Sequence, residues 1–169
     1  MSETVSLKGT PVSLNGPALN VGDDAPEAIV LTKDLKEKKV GGKKEKNQLL
    51  ITLPSLDTSV CEMETKKFNE MLANYDTIDV SVISMDLPFA QGRFCESYGI
   101  KNITTASDFR YKDMEKYGVL IGEGALKGLM ARAVFIVDKE GKIVYKQLVP
   151  EITTEPNYDD VIKIISGLK

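Results

Sequence analysis

Gln48-Leu49-Leu50-Ile51-Thr52-Leu53-Pro54-Ser55-Leu56-Asp57-Thr58-Ser59-Val60-Cys61 is the stretch on which the reading of this chain turns. Residues 48–53 are a short, mostly apolar run of the kind buried on both faces of a sheet, and Pro54 ends it by removing a backbone donor. A helix is predicted to begin within a few residues. Ser59 and Glu62 have the spacing of a capping box, which predicts Ser59 as the N-cap and puts Cys61 in the first turn. Val60, Met63, Phe68, Met71, Leu72 and Tyr75 then supply the predicted apolar face.

A thiol in a first turn faces unpaired backbone N–H groups and the positive end of the helix dipole, both of which favour thiolate. Glu62 and Glu64 oppose this, so a cation is expected from elsewhere in the chain. The same pattern also admits an inert Cys61, packed as a small hydrophobe.

Composition narrows the chemistry. The 169 residues, 42% hydrophobic and 28% charged, fit one domain with its own core. A net charge of −3 from 22 basic and 25 acidic residues offers no nucleic-acid surface. The lysine run from Lys33 to Lys46 is interrupted by Asp34, Glu37 and Glu45 and reads as a solvated connection. Residues 1–9 lack the apolar core of a signal peptide, and no apolar run approaches the roughly 20 residues that span a bilayer. A cytoplasmic protein with no membrane partner is expected, in which a disulfide would be transient and catalytic or redox-sensing.

With no histidine, the usual serine-histidine and cysteine-histidine mechanisms and histidine-ligated metals are excluded. The two cysteines, Cys61 and Cys95, form no C-x-x-C pair and fail the common zinc spacings. Neither metal nor cofactor is expected. What remains for Cys61 is chemistry in which the thiolate itself attacks.

Further along, Val5–Lys8 and Val12–Asn15 alternate around Gly9-Thr10-Pro11 and predict an N-terminal β-hairpin. Residues 27–32 and 79–85 read as strands, and Pro88 opens a helix to Tyr98 that carries Gly92 and Cys95. A strand at 103–106, a short helix at 111–117 and a glycine-bearing loop follow; the loop matches no phosphate-binding motif. Arg132–Asp138 and Lys142–Val149 predict a second hairpin, and Asn157 caps a last helix. This order describes an α/β fold, a mixed sheet covered by helices.

The order of elements and the motif Pro54-x-x-x-Thr58-x-x-Cys61 resemble the peroxiredoxins, thioredoxin-fold enzymes that reduce peroxides. Ser84-Met85-Asp86-Leu87-Pro88-Phe89-Ala90, Arg93-Phe94-Cys95, Ser107-Asp108-Phe109-Arg110 and the N-terminal hairpin are similar to the bacterial thiol peroxidase subfamily, an atypical 2-Cys type, over essentially the whole chain. The resemblance implies a thioredoxin-like fold with a mixed central sheet flanked by helices, residues 1–169 as one domain and 1–16 as its hairpin extension. It implies that Cys61 is the peroxidatic nucleophile, attacking hydrogen peroxide or an alkyl hydroperoxide, and that Cys95 resolves the sulfenic acid as an intramolecular disulfide. It further implies that Thr58 and Arg132 contact substrate, that Pro54 shields the pocket, that thioredoxin is the reductant and that the protein is a homodimer. Read without the resemblance, Arg132 is a surface charge at a strand start and Thr58 is turn or capping material. Rival readings are a non-enzymatic redox sensor built on the same cysteine pair, a disulfide oxidoreductase, disfavoured by the missing C-x-x-C, and a structural domain with inert thiols.

Overall fold

The computed structural model describes residues 2–168. The described elements are β1 (Thr4–Leu7), β2 (Thr10–Asn15), β3 (Ala28–Thr32), β4 (Glu37–Val40), β5 (Asn47–Thr52), α1 (Ser59–Met71), β6 (Ile78–Ser84), α2 (Pro88–Tyr98), β7 (Thr104–Ser107), a 3-10 segment (Asp113–Tyr117), β8 (Leu120–Ile121), β9 (Ala133–Val137), β10 (Ile143–Leu148) and α3 (Tyr158–Ser166).

Every residue of β5 is buried, as its near-continuous apolar run requires of a central strand. It lies between β9 and β6 in a seven-stranded sheet of order β10-β9-β5-β6-β7-β3-β4. Pairing is parallel for β5, β6 and β7, with Leu49 opposite Val80 and Ile51 opposite Val82, and antiparallel elsewhere. Alternation sends side chains to two cores. Leu49, Ile51, Val80, Val82, Val134 and Ile136 meet α1, α2 and α3 through Phe68, Phe94 and Val161. Leu50, Ile83, Ala133, Phe135 and Val137 meet Met114 and Tyr117 of the 3-10 segment on the other face. The architecture is the mixed α/β, thioredoxin-like arrangement expected.

Several local expectations are corrected. The N-cap of α1 is Thr58, not Ser59, and its side chain makes no capping bond, so Cys61 is third in the helix. The buried face of α1 is Cys61, Glu64, Thr65 and Phe68, whereas Met63 is exposed. Periodicity misplaced this face because two polar residues on it have internal partners: Thr65 donates to the Cys61 carbonyl at 2.8 Å, and Glu64 meets Arg132. Within the lysine-rich connection, residues 37–40 form β4, antiparallel to β3. The N-terminal hairpin turns at Lys8 and Gly9, both with positive φ, so Thr10 and Pro11 belong to β2. The glycine-bearing loop contains β8, which pairs with β2 and joins the hairpin into a three-stranded sheet.

Phe135, fully buried on β9 with its ring centroid 5.2 Å from that of Tyr117, anchors the second core just beyond Arg132. Phe135→Ala is expected to destabilise the protein by about 3–5 kcal/mol in urea unfolding. A loss under 1 kcal/mol would mean that this core is not packed as described.

Candidate active site

The loop after β5 is held in place by one carboxylate. Asp86, just past β6, accepts from Ser55 Oγ at 2.6 Å, Leu56 N–H at 2.8 Å and Ser84 Oγ at 2.7 Å. Pro54 is buried at the end of the strand. Thr58 is exposed, and its hydroxyl donates to the Ser55 carbonyl at 2.8 Å, closing the turn that launches α1. Cys61 then points inward and is fully buried.

Against it lies Arg132, immediately before β9 and 2% exposed. Its Nη1 donates to Cys61 Sγ at 3.2 Å and to Glu64 Oε1 at 2.6 Å. Its other edge is held by one acceptor, the Ile152 carbonyl, 3.1 Å from Nε and 2.8 Å from Nη2. A planar guanidinium held along one edge presents its remaining nitrogen in a fixed direction, and here that direction is the sulfur. The position is therefore not the surface charge that an arginine at a strand start suggests.

Glu64 is fully buried, and its Oε2 has no hydrogen-bond partner among the described residues. Burial pushes its carboxyl up to about 7, with the Arg132 guanidinium pulling the other way. The guanidinium in turn is held charged by Glu64 and Cys61 against its own burial. The site thus sets one cation against two acids in a dry environment.

Cys95 sits near the end of α2, 5% exposed, with Sγ 3.3 Å from Thr105 Oγ1 of β7. Gln91 fixes that helix to the sheet, donating to Ser84 Oγ at 3.1 Å and to the Ala106 carbonyl at 2.8 Å. Both cysteines are free thiols and belong to the same apolar core. Two adjoining clefts of about 690 and 710 Å³ are lined by Cys95 together with Lys33, Asp34, Ile100 and Lys101. Cys61 lines neither.

The structure therefore gathers Cys61 and Arg132 into one contact, sets Pro54 and Thr58 on the loop that leads to it, and keeps Cys95 on a separate helix in the shared core. Sequence reading missed three parts. Glu64 was legible only as an opposing charge, although its spacing of three from Cys61 places both on one helical face. Asp86 and the Ile152 carbonyl reach the site through tertiary contacts that leave no local signal.

The family model described as Redoxin matches residues 20–162. The thiol peroxidase of Aquifex aeolicus is 69% identical over 168 residues, covering 99% of both chains. The thiol peroxidase of Campylobacter jejuni is 53% identical over 90% of this chain and 87% of its own. The crystal structure of a peroxiredoxin-like protein from Aquifex aeolicus superposes with a TM-score of 0.98 at 69% identity, over 100% of this chain and 99% of that one.

A carboxyl raised to about 7 from an ordinary 4.5 binds its proton more tightly in the folded state, so this group's contribution to stability is complete below about pH 4.5 and is lost as pH rises through 7. Urea unfolding of wild type and Glu64→Gln across this window is expected to show the variant gaining on wild type as pH rises. Parallel curves from pH 4.5 to 8 would place the Glu64 titration elsewhere.

Proposed function

The chain belongs to the redoxin family and is a thiol-dependent peroxidase of the peroxiredoxin type; on that premise we propose that Cys61 is the peroxidatic nucleophile and Cys95 the resolving thiol. The observation that carries the assignment is the buried Arg132 Nη1 donating to Cys61 Sγ at 3.2 Å. A charge-assisted bond of this kind strengthens as the sulfur becomes negative, which is the state that attacks.

In the proposed cycle the Cys61 thiolate displaces one oxygen of the peroxide in line. The S–O bond forms as the O–O bond breaks, sulfur is oxidised to sulfenic acid, and the departing oxygen takes a proton to leave as water or an alcohol. Arg132 and the Thr58 hydroxyl stabilise the charge that develops on the oxygens, and Pro54 shields the reacting sulfur from water. The Cys95 thiol then condenses with the sulfenic acid, releasing water and forming the Cys61–Cys95 disulfide. A dithiol protein, thioredoxin, restores both thiols by exchange.

Bridging needs the two Cα atoms within about 7 Å. Cys61 lies in the first turn of α1 and is bonded to Arg132, while Cys95 lies in α2 and faces Thr105. Disulfide formation and peroxide entry to a closed Cys61 therefore both call for local unwinding. Features that favour it are the missing side-chain cap on α1 and Gly92 inside α2. We extend the reading, as the resemblance implies, to a single unit over 1–169 with hairpin 1–16, cytoplasmic and homodimeric, accepting hydrogen peroxide and alkyl hydroperoxides.

Peroxide consumption with thioredoxin, its reductase and NADPH tests the cysteine roles. Turnover is expected in wild type alone; after one equivalent of peroxide, wild type should lose two hydrogens by mass spectrometry and Cys95→Ser should hold a sulfenic acid. Full activity without Cys95 would remove its role and require an external resolving thiol. For the site, Arg132→Met and Thr58→Val are each expected to slow the first oxidation, Arg132→Met by about a hundredfold. An unchanged rate in Arg132→Met would take Arg132 out of the mechanism.

A further inference from the structure

The N-terminal hairpin contributes no group to the reacting centre, yet it is bonded to the segment that holds Arg132. The bond is made by Glu151. Its Oε1 accepts from Gly9 N–H at 2.9 Å and Ser6 Oγ at 3.0 Å. Its Oε2 accepts from Lys8 N–H at 3.1 Å, Thr153 N–H at 3.0 Å and the Thr153 hydroxyl at 2.8 Å. The Thr153 and Gly9 N–H groups, foremost among these donors, hold the carboxyl down at about 2. The left-handed Lys8 and Gly9 aim their two N–H groups at one carboxylate.

Two further contacts run parallel to this clamp. Ser6 N–H donates to the Pro150 carbonyl at 2.7 Å, and Ile152 N–H donates to the Ser6 carbonyl at 2.9 Å, so β1 is continued onto residues 150–152. Beneath them Ile152 and Ala131 are buried with Val5, Val12 and Leu14 of the hairpin. Ala131 precedes Arg132, and Ile152 supplies the carbonyl that takes Nε and Nη2.

We infer that Glu151 is a positioning residue of the peroxidase site: by clamping the β1–β2 turn to residues 150–153 it fixes the Ile152 carbonyl, and through that carbonyl the direction in which Arg132 faces Cys61. The inference rests on the role given to Arg132 above. Residues 149–157 run between β10 and α3 outside helix and strand, so external ties decide where their carbonyls point. Once that acceptor drifts, the guanidinium is free to turn toward Glu64 alone, and the nitrogen offered to sulfur is lost. A misplacement of this size slows a reaction without unfolding the protein.

The test is the rate of the first oxidation of Cys61 by hydrogen peroxide, followed by rapid quench and mass spectrometry, with far-UV circular dichroism as the check on folding. Glu151→Ala is expected to react about tenfold more slowly than wild type. Glu151→Gln, which keeps one acceptor oxygen, should fall between them, and it carries the test if the alanine variant does not fold. Glu123→Gln is the control. Glu123 ties the same hairpin through Ser13 Oγ at 2.6 Å, with no bond to residues 150–153, and its rate should match wild type. In the Arg132→Met background, Glu151→Ala should cause no further loss, because its effect passes through the guanidinium. A wild-type rate in Glu151→Ala with Arg132→Met slow would overturn the positioning role and leave the role of Arg132 intact. An equal fractional loss in both backgrounds would assign Glu151 to general stability instead. A wild-type rate in Arg132→Met would overturn both readings.

Discussion

A guanidinium only 2% exposed, shared between a thiol, a carboxylate and a main-chain carbonyl, sets the terms for everything around it. Removing such a charge from water carries a penalty of several kcal/mol, which the protein offsets only where the geometry of the partners is good. The partners come from two parts of the chain: Cys61 and Glu64 from α1, and Ile152 from the segment before α3. The strand that follows Arg132, β9, is sandwiched between β10 and β5 and cannot shift without disturbing the sheet. The backbone of the cation is thus tied to a central strand, while the sulfur it faces stands on a helix whose first turn lacks a side-chain cap.

This division of rigidity has a chemical sense. A peroxidase of this type needs an activated thiol that is shielded until substrate arrives and released once it is oxidised. Burial strengthens the hydrogen bond between Arg132 and sulfur by excluding water, and because Glu64 Oε2 has no partner among the described residues, a full negative charge on this carboxyl is costly. The surroundings of Cys95 are arranged differently. Cys95 borders two clefts that Cys61 does not reach, so the thiol proposed to act second is also the one nearer to open space. Helix α2 carries Gly92 in its interior, where glycine weakens a helix.

The hairpin that precedes the family's matched region, residues 20–162, is drawn into the same design. Through β8 it reaches one side of Ala131, and through Glu151 it reaches the segment carrying Ile152. An element that looks appended in sequence is therefore packed against both neighbours of the guanidinium's anchoring edge.

By itself the sequence determined the fold class and singled out Cys61 as the candidate nucleophile. The apolar run before Pro54, the alternating hairpin strands and the absence of histidine all act over a few residues or over the whole composition, so they survive without coordinates. Pro54, Thr58, Cys61 and Cys95 were legible because a motif keeps them at fixed spacing. The buried face of α1 was read one position out, since Glu64 and Thr65 count as polar until their internal partners are known. Apart from the resemblance, only tertiary structure decided that Arg132, rather than Arg93, Arg110 or a lysine, meets the sulfur, and that Asp86, Glu151 and the Ile152 carbonyl hold the parts in place. Those long-range contacts join residues separated by between 20 and 142 positions, and the energy of a hydrogen bond depends on geometry that only the assembled sheet supplies.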